Sequence, residues 1–538
     1  MKTAFFLCYL ASYALGLHPV KDFRVSDLKV SSSKQRVVSA NSNAVSYKKA
    51  DDTENELSVV GSATATVVTT SSLPSSAPTI ALNADVQMVF SDTTKSIYYL
   101  TSQVIDNNTN YNETFQLLLD TGSSVSWVYN ESCTSDACTQ QTVNKFDDFS
   151  QNLHILSDFS LTYSGQSVSG DLINGKDNDI KLVFSNFELS NFTFGIASTV
   201  PDLFDGFNVS GILGIPSSTA KGDDKNLIYQ LNQGQLIDSQ MFGLSLVSSN
   251  QTVEYTDDDG NVLSLPSNYG GLIVFGSKAI DDQSNFIESG SNISFTPIVE
   301  NDNDYWLIDL KNIQVDNGTV VKALNSSDSS RKTIIDTGTT GFVLPLTDAN
   351  TLHEKLFGSD LVTDNNGNYA FPCDAEDQKF TFTINDHDFE ISVSDFKGEQ
   401  YTTQGLTGNC ASMIQGLNSQ HWVFGAAFLS KFYTVFDLDA NRIGFGDARI
   451  TSYSLQQSNS AGTSAVYTGA ITNSSVSSTS TRSGSSIVST SSSSISSHSH
   501  SNNSTSSTDD DNESHNSGAV VAYSGLTLLM SLISHIVL

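Results

Sequence analysis

The chain is short of positive charge: 26 Lys and Arg residues stand against 58 Asp and Glu residues, which gives a formal net charge of −32. Binding to nucleic-acid phosphates needs a basic stripe, and none is present, so we expect no nucleic-acid partner. Proline and cysteine are also sparse, with 9 and 5 residues in 538, which excludes collagen-like and cystine-knot scaffolds. The 30 Phe and 18 Tyr residues indicate instead a sizeable folded core.

The N-terminal segment has the layout of a secretory signal. Residues 1–16 contain Lys2, an apolar run and small residues at the end, and the run is too short to span a bilayer. A buried N-terminal helix is the alternative. We interpret residues 1–16 as a signal peptide, so the chain enters an oxidising route.

A basic segment follows this signal. Residues 17–49 contain seven basic and two acidic residues, a net charge of +5, whereas the rest of the chain is strongly acidic. We interpret them as a propeptide, ending at Lys49 or as late as residue 80, that covers an acidic cleft near neutral pH. Its ion pairs weaken when carboxylates are protonated. A flexible basic leader without an inhibitory role is the alternative.

The C-terminal tail combines a polar stalk with an apolar end. Residues 451–516 are dominated by Ser and Thr, so they bury too little apolar surface to fold and are predicted to be disordered and O-glycosylated. Residues 517–538 are typical of the signal for a glycosylphosphatidylinositol (GPI) anchor. We expect these residues to be removed from the mature form and the anchor to be attached at Asn516. A transmembrane helix is the alternative, but no Lys or Arg follows the apolar run.

Asn-X-Ser/Thr sequons are frequent between these ends. In a secreted chain they predict N-glycosylation on surface loops. The candidates in the central region are Asn107, Asn112, Asn130, Asn191, Asn208, Asn250, Asn292, Asn317 and Asn325.

Short apolar runs separated by turn residues fill the central region and predict a mainly β class. Strands are predicted at residues 96–100, 115–119, 187–194, 271–275 and 305–310, and helices at 226–233, 348–357 and 426–432.

A long-range repeat divides the central region in two. Leu-Leu-Leu-Asp-Thr-Gly-Ser-Ser around Asp120 recurs as Thr-Ile-Ile-Asp-Thr-Gly-Thr-Thr around Asp336. An apolar pair and a glycine follow each copy, with Gly214 94 residues after the first aspartate and Gly425 89 residues after the second. Two lobes of similar plan therefore follow one another. They are predicted at residues 84–276 and 277–450, with a linker near 276–284.

The duplicated Asp-Thr-Gly can bring two carboxylates together. If the two turns meet, Asp120 and Asp336 are like charges close to each other and share one proton. The ionised member then takes a proton from a bound water, while the protonated member polarises a peptide carbonyl. This chemistry needs no metal and no cofactor. A purely structural role for both turns is the alternative.

The neighbours of each aspartate have supporting roles in this interpretation. Glycine allows close backbone approach, threonine can hydrogen-bond between the two turns, and the next hydroxyl can donate to the carboxylate. These residues are Thr121, Gly122, Ser123, Thr337, Gly338 and Thr339.

With these motifs the chain resembles the pepsin-family aspartic proteases over residues 85–450 and, with its GPI tail, is similar to the fungal yapsins. The resemblance implies a bilobal, all-β fold of two barrel-like lobes with the active-site cleft between them, and Asp120 and Asp336 as the catalytic pair. It also implies that Tyr163, in Leu-Thr-Tyr-Ser-Gly, is the tyrosine of a flap over the cleft and that Trp127 lies behind it. A hydrogen bond between these two side chains is expected.

Four cysteines remain once the signal is removed, and they permit three pairings. Sequential pairing, Cys133 with Cys138 and Cys373 with Cys410, is favoured and matches the family. A zinc site is the alternative, but the chain has neither Cys-X-X-Cys nor paired histidines, so we expect no metal.

The chain departs from the family pattern at three points. Ser164 follows the flap tyrosine where glycine is usual, and Gly425 is followed by alanine where aspartate is common. Yapsins prefer basic residues at the cleavage point, yet Gln103 stands where an acidic residue would help. Asp202 and Asp205 are the candidates to supply that charge.

We therefore expect a cell-surface aspartic endopeptidase that acts on proteins and peptides, at acidic pH and near basic residues. A GPI lipid would hold it on the outer face of the plasma membrane, or it would be transferred to the cell wall. One chain supplies both aspartates, so a monomer is expected. The alternatives are a catalytically inactive GPI-anchored wall mannoprotein or adhesin, and a secreted soluble protease.

Overall fold

The structure, a computed structural model, describes residues 77–457 apart from gaps at 93–96, 107–110, 140–142, 148–152, 164, 185–186, 206, 219–223, 248–252, 258, 325–329, 365–366, 377, 404 and 450–452. The predicted signal peptide, the basic segment, the anchor signal and Asn516 lie outside the described residues. So do Ser164 and the sequons at Asn107, Asn250 and Asn325.

Strands dominate both halves of the described chain. Those of the first half are β1 (Thr79–Leu82), β2 (Val86–Asp92), β3 (Ile97–Asp106), β4 (Tyr111–Asp120), β5 (Trp127–Tyr129), β6 (Ile155–Tyr163), β7 (Gln166–Asn174), β8 (Ile180–Phe184), β9 (Phe187–Leu189), β10 (Thr193–Thr199), β11 (Gly211–Gly214), β12 (Met241–Leu246), β13 (Val253–Thr256), β14 (Val262–Leu263) and β15 (Tyr269–Phe275). Those of the second half are β16 (Ser294–Pro297), β17 (Leu307–Asp316), β18 (Val321–Ala323), β19 (Arg331–Ile335), β20 (Phe342–Pro345), β21 (Val362–Thr363), β22 (Tyr369–Pro372), β23 (Lys379–Ile384), β24 (His387–Ser392), β25 (Lys397–Gln400), β26 (Asn409–Ser412), β27 (Ile414–Leu417), β28 (Trp422–Phe424), β29 (Phe432–Asp437), β30 (Arg442–Asp447) and β31 (Tyr453–Gln457).

Helices are few and short, and the all-β class is confirmed. The α-helices are α1 (Asp136–Thr139), α2 (Leu227–Gln233), α3 (Lys278–Asp281), α4 (Leu346–Phe357), α5 (Val393–Phe396) and α6 (Ala426–Leu429). Single 3-10 turns lie at Lys176–Asn178, Asp202–Phe204, Gln283–Asn285 and Gly358–Asp360. Within the described chain, no helix has the length and apolar character needed to cross a membrane.

A fifteen-stranded sheet runs through both predicted lobes. Its main path is β16-β30-β29-β12-β15-β2-β3-β4-β11-β5-β10-β7-β6, and β8 and β9 extend it from β3. β12 of the first half pairs antiparallel with β29 of the second, from Met241 opposite Asp437 to Leu244 opposite Thr434. The lobes are therefore joined by a common sheet as well as by the chain near residues 276–284.

Parallel pairing explains the matched glycines of the repeat. β11 lies parallel to β4 with Gly214 opposite Asp120. In the second half β28 lies parallel to β19, which ends directly before Asp336, with Phe424 opposite Ile335. Each strand that leads to an aspartate thus has a neighbour that ends beside it, and the long intervals are the crossover connections that parallel strands require.

Two predicted elements differ from the structure. The strand predicted at residues 187–194 is two strands, β9 and β10, because β9 pairs with β8 while β10 pairs with β5 and β7, and the chain bends between them. The helix predicted at residues 426–432 ends at Leu429. Phe432 already belongs to β29, where it pairs with Asp447.

The folded region extends beyond both boundaries predicted for it. β1 precedes residue 84, and β31 lies within the segment assigned to the stalk. β31 is an inner strand of a four-stranded sheet in the order β1-β31-β13-β14. Tyr453 and Leu455 alternate toward the core with 2% and 0% of their surface exposed. The stalk boundary at residue 451 is therefore wrong, because an alternating apolar pair within a Ser-rich context suffices for a short strand when partners lie on both sides.

Candidate active site

The two Asp-Thr-Gly turns meet, and their carboxylates share a donor. Asp120 ends β4 and Asp336 follows β19, and both side chains are buried, with 0% and 1% exposed. The backbone N–H of Gly122 lies 2.9 Å from Oδ1 of Asp120 and 3.1 Å from Oδ1 of Asp336. The repeat thus forms a single site from residues 216 positions apart.

The outer oxygens of the pair are held by the hydroxyls that follow each turn. Ser123 Oγ donates to Oδ2 of Asp120, and Thr339 Oγ1 donates to Oδ2 of Asp336 at 2.7 Å. The N–H of Gly338 donates to Oδ1 of Asp336 at 2.8 Å. Donors therefore surround both carboxylates and fix their planes.

Both glycines are required by close approach. A Cβ on Gly122 would lie 2.7 Å from Cγ of Asp336, and one on Gly338 would lie 2.6 Å from Oδ1 of Asp120. Such distances are shorter than van der Waals contact, so any other residue would push the opposite carboxylate away.

The intervening threonines connect the two turns. Each backbone N–H donates to the other threonine's hydroxyl, and each hydroxyl donates to a carbonyl of the opposite strand end. Thr121 Oγ1 donates to Ile335 at 2.9 Å, and Thr337 Oγ1 donates to Leu119 at 2.7 Å. This symmetrical set aligns the lobes at the site.

Burial raises the pKa of both aspartates. For Asp120 the negative charge of Asp336 raises the pKa further, well above the ordinary value, while the Ser123 hydroxyl lowers it. For Asp336 the hydrogen bond from Thr339 is the largest opposing effect on its pKa. The pair consequently retains one proton at a pH where two separate aspartates would have lost both.

Tyr163 ends one strand of a hairpin and lies near Asp120. β6 and β7 pair with Tyr163 opposite Gln166, and the tyrosine is fully buried. Its hydroxyl accepts a hydrogen bond from Trp127 Nε1 at 2.9 Å and lies 3.2 Å from Ser123 Oγ. Side chains thus link the hairpin to the carboxylate of Asp120 through Ser123.

Three aromatic residues at or near the site were not predicted from the sequence. The Phe204 ring packs on the rings of Tyr163 and Trp127, with centroids 5.3 and 5.4 Å apart. Tyr129 is buried beside Trp127. Trp306 hydrogen-bonds across the two halves. Each of these three aromatic residues lies in an apolar run, which predicts burial. No sequence motif assigns any of them to the site.

Asp202 and Asp205 are both exposed and lie in and after the 3-10 turn that carries Phe204. Gln103 is half-buried in β3. After Gly425, the N–H of Ala426 donates to Thr339 O at 2.7 Å, so backbone supplies the contact there.

The structure contains two disulfides, Cys133–Cys138 and Cys373–Cys410. Of the described sequons, Asn112, Asn191 and Asn292 are exposed, and Asn130, Asn208 and Asn317 are half-buried. Where the structure describes the chain, no cluster of three or more His, Cys, Asp or Glu side chains is arranged to hold a metal ion.

Comparison with known proteins agrees with this geometry. The family model for eukaryotic aspartyl proteases matches residues 99–448, which include both turns and the hairpin.

Individual relatives are similar over the same region. The probable aspartic-type endopeptidase CTSD of Arthroderma benhamiae is 31% identical over 332 residues, 61% of this chain and 57% of the relative. Major aspartyl peptidase 1 of Cryptococcus neoformans is 27% identical over 342 residues, 62% of this chain and 65% of the relative. Cathepsin E-B of Xenopus laevis is 29% identical over 343 residues and 75% of its length. The match thus spans less than two thirds of the first two relatives.

Proposed function

The chain belongs to the eukaryotic aspartyl protease family, and on that premise we propose that it is a cell-surface endopeptidase that hydrolyses peptide bonds in proteins at acidic pH. The observation that carries the proposal is the buried pair Asp120 and Asp336, bridged by the N–H of Gly122. A pair that shares one proton holds a base and an acid side by side.

The reaction follows from that pair. A water between the carboxyls loses a proton to the ionised member and attacks the peptide carbonyl, whose oxygen is polarised by the protonated member. The proton then passes to the leaving nitrogen as the C–N bond breaks. Tyr163 covers the pair and excludes bulk water, which strengthens the electrostatic interactions in the site.

Acidic pH is proposed because the chemistry needs one proton on the pair. Burial favours that proton, since it raises the pKa of both Asp120 and Asp336. As the pH rises the pair loses the proton, and the acid that polarises the carbonyl disappears. Activity is expected to fall on the alkaline side for this reason.

A preference for basic substrate side chains is proposed from the wall beside the hairpin. Asp205 is exposed one residue beyond Phe204, whose ring contacts Tyr163. The buried hydroxyl of Tyr129 has no hydrogen-bond partner within the described chain, and its pKa is raised by burial and by the charge of Asp205. A lysine or arginine that lies beside Phe204 would meet the exposed carboxylate of Asp205.

Surface attachment and activation are proposed from segments outside the described residues. The apolar end after Asn516 would direct GPI anchoring, and residues 17–49 would cover the cleft until they are removed. Treatment of intact cells with a phosphatidylinositol-specific phospholipase would release the protein if the anchor is present. A protein that stays on the cells would favour a transmembrane helix.

The full-length chain, expressed in a secreting host and assayed on a peptide library between about pH 3 and 6, tests the activity. Wild type and Glu188→Gln, which removes an exposed carboxylate, should cleave, whereas Asp120→Asn should not. Equal cleavage by Asp120→Asn would contradict the proposal. A folded, processed wild type that cleaves nothing would favour the inactive mannoprotein.

A further inference from the structure

Trp306 lies between the two catalytic turns and hydrogen-bonds toward both. Its indole Nε1 donates to the carbonyl of Ile215 at 2.8 Å, and the N–H of Ile215 donates to the carbonyl of Asp120 at 3.0 Å. Its own carbonyl accepts the N–H of Ile335, the residue before Asp336, at 3.0 Å. Trp306 is thus linked to the carbonyl of Asp120 through Ile215, and it is bonded directly to Ile335, the neighbour of Asp336.

These bonds close a ring. The carbonyl of Ile335 accepts the hydroxyl of Thr121 at 2.9 Å, and Thr121 is bonded directly to Asp120. The ring therefore passes through Asp120, Ile215, Trp306, Ile335 and Thr121. A shift of either turn relative to the other must stretch a member of it.

The indole itself is rigidly seated. It is fully buried, and its ring meets Phe436 and Phe242 edge to face at centroid distances of 4.8 and 6.1 Å. Those two rings stack on each other at 4.5 Å and come from β29 and β12, the strands through which the halves share a sheet. Trp306 therefore connects the two Asp-Thr-Gly turns to the sheet that the halves share.

Ser217 adds two further hydrogen bonds between the same two segments of the first and second halves. Its N–H donates to Asp304 O at 2.8 Å, and its hydroxyl donates to Tyr305 O at 2.9 Å. Residues 215–217 of the first half are thus bound to residues 304–306 of the second by three hydrogen bonds, counting that of the indole.

We infer that Trp306 is a positioning residue for the reaction: its indole N–H sets the separation of the two aspartates and thereby how they share their proton. The inference rests on the proposed peptidase activity. Like charges that move apart influence each other less, so their two apparent pKa values converge.

Trp306→Phe in the full-length chain removes the N–H and keeps an aromatic ring. We expect kcat to fall about 10- to 100-fold with little change in KM, because misplaced reacting groups cost about that much. The bell-shaped profile of kcat/KM against pH should also become narrower on both sides. Rates are taken per active molecule, counted by titration with a tight-binding transition-state analogue.

Trp422→Phe is the matched control. Trp422 is equally buried, and its Nε1 donates to Asp348 within the second half, so its loss weakens the fold without opening the ring. It should leave the pH profile of the active molecules unchanged.

A narrowed profile in Trp306→Phe alone supports the inference, and a folded Trp306→Phe whose kcat and profile equal those of Trp422→Phe overturns it. If Trp306→Phe does not fold, Ser217→Ala is tested in its place. A pH profile of kcat/KM that is narrower than that of wild type, though less so than expected for Trp306→Phe, supports the inference, and an unchanged profile overturns it. A wild type that cleaves no peptide contradicts the proposed function instead and removes the basis of the inference.

Discussion

Thr121 and Thr337 each donate a backbone N–H to the other's hydroxyl oxygen, both at 3.0 Å. Because each hydroxyl also donates to a carbonyl of the opposite strand end, four hydrogen bonds cross between the lobes at the residues that follow Asp120 and Asp336. All of their atoms are buried, so none can be replaced by water without a rearrangement.

Thr337→Val should therefore be strongly destabilising. It keeps the shape of the side chain but leaves the N–H of Thr121 and the carbonyl of Leu119 unpaired, which should lower the free energy of unfolding by about 2–4 kcal/mol. Urea denaturation measures the change. The control is Thr351→Val on the exposed face of α4, which should change stability by less than about 0.5 kcal/mol. Equal effects of the two substitutions would contradict the role given to Thr337.

Tyr163→Phe tests the link between the hairpin and the pair. The ring would remain against Phe204, but the hydrogen bonds of the hydroxyl with Trp127 and Ser123 would be lost. We expect kcat/KM to fall about tenfold, which corresponds to about 1.4 kcal/mol of transition-state stabilisation. Tyr433→Phe also removes a buried hydroxyl, one that donates to Ala279 O, and should not affect kcat/KM. An undiminished rate in Tyr163→Phe would show that the hydroxyl does not contribute.

His353 should make the fold less stable in acid. Burial lowers its pKa from 6.5 to about 4, and its ring nitrogens lie 2.8 Å from Ala349 O and Ser412 Oγ. Between pH 6.5 and 4 the unfolded chain binds a proton that the folded chain excludes. The contribution of His353 to the free energy of unfolding is therefore fully present above pH 6.5. It decreases toward pH 4 by up to about 3 kcal/mol.

The measurement is the free energy of unfolding as a function of pH for wild type and His353→Gln. The variant should lack this part of the decrease between pH 6.5 and 4, whatever its stability at pH 7. Parallel curves for the two proteins would contradict the assignment to His353.

Asp348 should be essential to the second lobe. It accepts from Arg331 Nε at 2.5 Å and Nη2 at 3.0 Å, and from Trp422 Nε1 at 2.8 Å. Asp348→Ala removes the carboxylate that pairs with the largely buried guanidinium of Arg331 and should cost about 3–5 kcal/mol of stability. Glu188→Gln, which breaks the exposed pair with Lys181, should cost less than about 1 kcal/mol. Urea denaturation measures both changes. A loss of stability in Asp348→Ala as small as that in Glu188→Gln would contradict this prediction.

Truncation within the predicted stalk should show where the folded chain ends. A chain that stops after residue 452 lacks β31, loses the burial of Tyr453 and Leu455, worth about 2–3 kcal/mol each, and leaves β1 and β13 without their common partner. A chain that stops after Gln457 keeps all three strands. Only the longer one should be secreted in a protease-resistant form, and equal resistance would show that β31 is dispensable.

Local patterns in the chain were enough for the all-β class and for the choice of Asp120 and Asp336. An apolar strand followed by Asp-Thr-Gly is a short motif, and its duplication is visible without coordinates. The prediction that Tyr163 belongs to a flap needed the family resemblance as well, because one tyrosine before Ser-Gly is an ordinary turn neighbour.

Contacts between distant segments were beyond reach of such patterns. Trp306 donates to the carbonyl of Ile215, which lies 91 positions away in the sequence. β31 pairs with β1 and β13, and both strands lie far from it in the sequence. Periodicity records which side of a strand is buried, but not against what, since any apolar face satisfies it equally. The partner is selected only when the whole core packs, and that selection brings Trp306 to Ile215 and places β31 between β1 and β13.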